Sequence, residues 1–236
     1  MMLEFLRYYK TSFEAGGLQE EPTPKSEQVV MNVPIQFIAP RRIDSRDMCL
    51  SSSNQFNSPS CAGYTMAGYI EYRNWKINHY PAQVDGDLIY AEAKKIEGNN
   101  RPGTTLSMVV NAAKKLGLIT GEGKFVDFPS VNRSSLSRKE KRIVSIKFAL
   151  HQYGVALSGF RITNEWDYVD KKTGLIRDMG QDAESRGGHA VLLCGYDDDG
   201  VYIQNSWGNS EWGYYGFAIL NWDMYDRQLM QAMIIE

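Results

Sequence analysis

Cys61, His189 and Asn205, with Gln55 ahead of them, are the side chains of this 236-residue chain whose types and spacing suit nucleophilic chemistry. A thiolate attacks a carbonyl carbon, and a neighbouring imidazole activates the thiol by forming a thiolate–imidazolium pair. The amide oxygen of Asn205 is placed to hold the His189 ring in its working tautomer. Gln55, six residues before the thiol, offers its NH2 alongside the Cys61 backbone N–H to the oxyanion of a tetrahedral intermediate. Trp207 would shield the His–Asn bond from water. Taken singly, a free cysteine is more often a small buried hydrophobe and a lone histidine a structural residue. The set of four carries the weight.

The remaining candidates fall away on local grounds. Cys194 lies in "AVLLCGY", a run apolar on both faces, and reads as core. Cys49 sits in a polar loop and is undecided. His151 falls in the last turn of a helical pattern, and His79 follows another as a surface loop residue. Cys and His lack the paired spacing of a metal site, so no metal and no cofactor are expected. Three cysteines are too few for a disulfide framework and lean towards a reducing compartment.

Composition narrows the partners. A formal charge of -2 and a pI of about 6.0 give no electrostatic case for nucleic acid or an anionic membrane. No stretch approaches the ~20 apolar residues that span a bilayer. "MMLEFLRYYK" is broken by Glu4 and Arg7 and lacks the apolar core of a signal peptide, so the cytoplasm is expected, with export by another route left open. A monomer acting on a peptide or protein substrate is expected.

The elements that must position these groups come in two halves. Residues 11–33 are rich in Gly, Glu, Pro and Ser and read as a linker behind a short N-terminal amphipathic turn or helix. "CAGYTMAGYIEYRNWKIN" then carries apolar residues at helical spacing, with Ser60 as N-cap. A thiol at that helix start gains from the unpaired backbone donors around it. Gly63 and Gly68 inside the helix require a packing reason. Further helices are predicted over "DGDLIYAEAKKIEG", ending at Gly98, over "TTLSMVVNAAKKLGL", stopping at Gly117, and over "SRKEKRIVSIKFALHQYG" with a Ser137–Glu140 capping box. After Gly154, "VALSGF", "HAVLLCGY", "GVYIQNSW", "GYYGFAIL" and "LMQAMIIE" are strand-like runs. Helices first and strands later predict an α+β fold with two lobes. "HAVLLCGYDDDGVYIQN" becomes a hairpin delivering base and orienter to one edge.

This pattern resembles the papain/cathepsin cysteine peptidases. His189 lies 128 residues beyond Cys61 and Asn205 lies 144 beyond it, close to that family's interval. The Gln-to-Cys step in "QFNSPSC", the His-to-Asn step, "NSWG" with "WGYYGF" after it, and "IDSRD" before the glutamine are all similar to the family's motifs. The likeness covers residues 34–236. It implies a papain-like two-lobed fold, with a helical lobe at about 34–128 carrying Cys61 and an antiparallel, barrel-like β lobe at about 129–236 carrying His189 and Asn205. The cleft between the lobes would hold the site. It also implies a cysteine endopeptidase working through an acyl-enzyme, with Gly103 pairing with substrate backbone and Ser158, Gly187 and Ala190 lining the main specificity pocket for an apolar side chain.

The chain departs from the family in places. "SPSCA" replaces Cys-Gly-Ser-Cys-Trp, so Ser58 stands for a cysteine and Ala62 for an aromatic, while Pro59 stiffens the loop. Gly188 replaces a polar residue before the histidine, and one extra residue separates "WG" from Trp212. These mark a divergent branch. A thiol-dependent isopeptidase, amidase or transpeptidase is the alternative on the same residues, and a pseudopeptidase that binds peptides is the third reading. Residues 1–33 are expected to act as a short inhibitory extension, with residues 1–10 as a short helix docking on the body, the cleft among the candidate places.

Overall fold

The computed structural model describes residues 16–20, 33–34, 36–50, 53–126 and 135–236, with the backbone of Tyr8–Lys10 and Gln28–Val29. Helix α1, Cys61–Asn78, starts at Ser60 and closes on His79 in a left-handed conformation. Ser60 stands at the N-cap position but makes no side-chain capping bond. Helix α2, Gly86–Glu97, is capped by the Asp85 carboxylate and stopped by left-handed Gly98. Helix α3, Leu106–Lys115, is capped by Thr105, and Gly117 at φ +71° turns the chain away. Helix α4, Arg138–Tyr153, carries the full Ser137–Glu140 capping box.

The five strand-like runs form strands. They are β5 (Ala156–Thr163), β7 (Ser185–Tyr196), β8 (Gly200–Gln204), β9 (Phe217–Asn221) and β10 (Leu229–Ile235). With β2 (Gln28–Val29), β3 (Ile43–Asp44) and β4 (Gly123–Val126) they make one sheet in the order β2-β4-β10-β5-β7-β8-β9, with β3 also on β7. Its pairings are antiparallel apart from β2 with β4. A seven-residue helix α5, Trp222–Gln228, links the last two strands.

Alternation along the central strands divides the core in two. Leu157, Ala190, Leu192 and Cys194 face a cluster with Met66, Ile70, Ile89, Val109 and Ala113 of α1–α3. Phe160, Ile162, Val191, Leu193 and Ile203 face a second cluster with Ile146, Leu150, Trp166 and Tyr225. Cys194 is thus core, as its two-sided apolar run requires, and Cys49 packs into the same first cluster. The expected lobe boundary near residue 128 lies outside the described residues.

The N-terminal segment corrects the sequence reading. Tyr8–Lys10 (β1) is a strand, not a turn or helix, paired antiparallel with β6 (Tyr168–Asp170). Local pattern suggested amphipathic helix, and the partner strand decides otherwise, because strand preference depends on neighbours. Residues 1–7 and 11–15 and most of the linker lie outside the described residues. Gly16–Glu20 is described, and it lies across the mouth of the site.

Candidate active site

The β7–β8 hairpin brings its two polar ends together. His189 Nε2 lies 2.7 Å from Asn205 Oδ1, and that oxygen also accepts the Ser206 backbone N–H at 2.8 Å. An amide oxygen only accepts, so Nε2 carries the ring proton and Nδ1 carries the lone pair. Among the described residues Nδ1 has no hydrogen-bond partner. Trp207 covers this pair with its ring centroid 4.7 Å from that of His189, and Trp166 meets the imidazole edge-on at 6.1 Å. Trp166 is a wall of the site that sequence reasoning missed. Its indole N–H is bonded to Gln228 and its carbonyl takes the Trp212 N–H, contacts that only the fold supplies.

Cys61 comes to this hairpin from the first turn of α1. Its thiol lies within reach of the Ala190 backbone N–H, the residue next to His189. Both Cys61 and His189 are fully buried. Burial pushes the thiol up to about 11 against the Ala190, Ala62 and Cys61 backbone donors. Burial likewise pushes the imidazole down to about 4; the Asn205 bond opposes this and the Arg186 charge adds to it. The expected thiolate–imidazolium pair is therefore not the state favoured here. Desolvation outweighs the backbone donors around the thiol, and in this closed arrangement it favours the neutral form of each group.

Gln55 stands beside them but is partly committed. Its Nε2 donates to Ser58 O at 2.7 Å, its Oε1 accepts from Ser206 Oγ at 2.5 Å, and its backbone N–H bonds to Ser206 O. One amide hydrogen remains for an oxyanion. Phe56 follows at φ +49°, a left-handed conformation costly for a bulky residue, held by the Asn54 carboxamide.

Residues 16–19 lie against the thiol. Gly16–Gln19 forms a strap across the cleft. Gly16 and Leu18 donate their N–H groups to Gly188 O at 2.9 and 3.2 Å; Thr104 N–H donates to Gly17 O, and Gln19 N–H to Thr104 O. Leu18 and Thr104 pair in parallel. Gly17 passes so close to the thiol that an added Cβ would lie 2.6 Å from Pro59 O and 3.0 Å from Cys61 Sγ. Leu18, 5 % exposed, fills a pocket whose floor is Gly159, with Gln231 beside it.

The strap meets some of the residues expected to contact substrate and not others. The backbone that pairs is Thr104, one residue beyond Gly103. Gly103 at φ +79° instead leaves room for the Gly17 carbonyl, and its own N–H bonds to Tyr90. Ser158 is fully buried and donates to Val191 O, so it does not line the pocket. Its neighbour Gly159 does, since successive strand residues face opposite ways. Gly187 at φ +110° faces Gly16, and Ala190 joins the cluster around Leu18.

No family model matches the chain, and no curated protein matches it. Solved structures do. Xylellain, a cysteine protease from Xylella fastidiosa, superposes with a TM-score of 0.67 at 18% identity, covering 98% of this chain and 97% of that one. Procathepsin L2 from Tenebrio molitor larval midgut gives 0.65 at 17% identity over 94% and 78%, and the proform of the ragweed pollen cysteine protease Amb a 11 gives 0.58 at 15% over 100% and 76%. The chain therefore has the papain-like fold.

Proposed function

We propose that this chain is a cysteine-type peptidase held in a closed resting state by its own residues 16–19. In the working form the strap leaves, water enters, and His189 Nδ1 takes the Cys61 proton. The thiolate attacks the substrate carbonyl, and the oxyanion is met by the Cys61 backbone N–H and the remaining Gln55 amide hydrogen. The imidazolium returns its proton to the leaving amine, and water then hydrolyses the thioester with His189 as base. Asn205 keeps the ring oriented, and Trp207 keeps water off that bond.

The observation that carries the reading is the His189–Asn205 bond at 2.7 Å, which leaves Nδ1 free beside a thiol seated at the neighbouring Ala190 N–H. The strap supports it further. It occupies the cleft as a peptide would, with backbone bonds on both walls and an aliphatic side chain in the pocket, which favours substrates bearing a leucine-sized side chain there. Its Gly17 carbonyl accepts the Thr104 N–H.

The test is labelling by a thiol-directed peptide epoxide bearing leucine, applied to a chain beginning at Pro34. Rapid modification at Cys61, lost in Cys61→Ala and His189→Ala, is expected. Equal labelling of His189→Ala would overturn the assignment. Accumulation of a ligated product on adding an amine would redirect it to transpeptidation.

A further inference from the structure

Beside Asn205, α1, β7 and β8 line a partly open cavity of about 20 Å³, room for roughly one water. Tyr64, Thr65, Gly68 and Glu71 line it from α1, Leu192 from β7 and Gln204 from β8. Two of these groups play no part in the chemistry above. Gln204 donates its amide to Leu50 O at 2.5 Å, but its Oε1 is buried with no hydrogen-bond partner among the described residues. Glu71, 4 % exposed, accepts the Val84 N–H on Oε1 at 2.9 Å. Gly68, a residue that weakens a helix interior, lies between them. A Cβ there would come within 3.0 Å of Gln204 Oε1, so the glycine keeps the space open.

An orphaned buried acceptor calls for a donor. Three of the hydroxyls on the wall are committed: Tyr64 to Asp87, Thr65 to Cys61 O and Ser206 to Gln55. Glu71 has a proton to give once its carboxyl is neutral. We propose that Glu71 is a positioning residue: its protonated carboxyl bonds across the cavity to Gln204 Oε1 and so holds the strand end that carries Asn205 against α1. Burial, opposed by the Val84 N–H, pushes this carboxyl up to about 7. Charge on the surrounding elements does not offset it. Asp85 is spent capping α2, Asp87 bonds Tyr64, and β7 and β8 present the neutral Leu192 and Gln204. Loss of the proton then leaves two acceptors and a negative charge facing each other.

The role rests on the peptidase reading, but its first test does not. In the full chain, Glu71→Gln supplies an amide donor at every pH. An acid whose folded value is raised stabilises the fold below its ordinary value near 4.5 and loses that contribution as pH rises to about 7. The Tm of the wild type should therefore fall relative to Glu71→Gln over that window and run parallel above it. Parallel curves throughout would overturn the proposal. Should Glu71→Gln not fold, the carboxyl carbon of Glu71 followed by NMR in the wild type decides: titration near pH 7 supports the proposal, and titration near 4.5 refutes it. In a Leu18→Ala background, the kcat/KM of Glu71→Gln relative to Glu71 should rise about threefold or more across the same window. A constant ratio would deny the link to Asn205, whereas inactivity of both at every pH would refute the peptidase reading and leave the Tm result standing.

Discussion

Truncating Leu18 to alanine in the full chain tests the closed state most directly. The leucine is 5 % exposed and sits on Gly159, so Leu18→Ala removes three buried carbons from a contact that a free strap lacks. At ~0.8 kcal/mol per buried carbon this weakens closure by about 2–3 kcal/mol. That shifts the closed–open equilibrium roughly 30- to 150-fold towards open, at about 1.4 kcal/mol per tenfold. Alkylation of Cys61 by iodoacetamide reads the open fraction, because the thiol is fully buried while the strap is seated. Its rate, located at Cys61 by peptide mass mapping, should rise by the same factor until it reaches that of a chain beginning at Pro34. A Leu18→Ala rate within about twofold of wild type would refute the reasoning, as would a wild type already labelled as fast as the trimmed chain.

Other expectations follow from the same geometry. Gly17→Ala places a methyl within 2.6 Å of Pro59 O and should also expose the thiol, while Gly16→Ala, with open space around it but φ +97°, should do so less; alkylation rates compare them. Gly159→Val fills the floor of the pocket and should lower kcat/KM for a leucine substrate at least about tenfold relative to an alanine substrate, a ratio read from paired fluorogenic peptides. With the strap seated, burial holds the thiol near 11 and the ring near 4, so wild-type alkylation should climb only on the alkaline side, whereas the trimmed chain should already react near neutrality. Ser137→Ala breaks the capping box of α4 and should cost about 1 kcal/mol, seen in urea unfolding.

The polar ends of the hairpin were legible because local pattern fixes them. A two-sided apolar run, an acidic turn and a second apolar run can only place His189 and Asn205 at the same edge, and α1 starts at Cys61 as its periodicity requires. Contacts made between distant segments were not legible. Ser158 and Gly159 are equally small, and only the sheet decides which faces the pocket. Leu18 sits in a Gly-, Glu- and Pro-rich stretch without periodicity, and it is buried against Gly159 and Gly188 and pairs with Thr104, all more than 80 residues away. Burial of Cys61 and His189, which pushes the thiol up and the imidazole down, likewise has no local sequence signal. Gly68 shows the intermediate case: the sequence says that it needs a packing reason, and the Gln204 carboxamide supplies one.

The strand pairings on either side of the strap, β1 on β6 and β2 on β4, bear on how so short a segment would act as the proposed inhibitor. Four residues bound as a free tetrapeptide would be displaced by modest amounts of any competitor. Tethered at both flanks, the same four residues face the cleft at a high effective concentration and rebind after each excursion. A single nick between the strap and Pro34 would therefore remove its covalent tether and leave only the β1–β6 pairing to hold it nearby, without altering a single contact in the cleft.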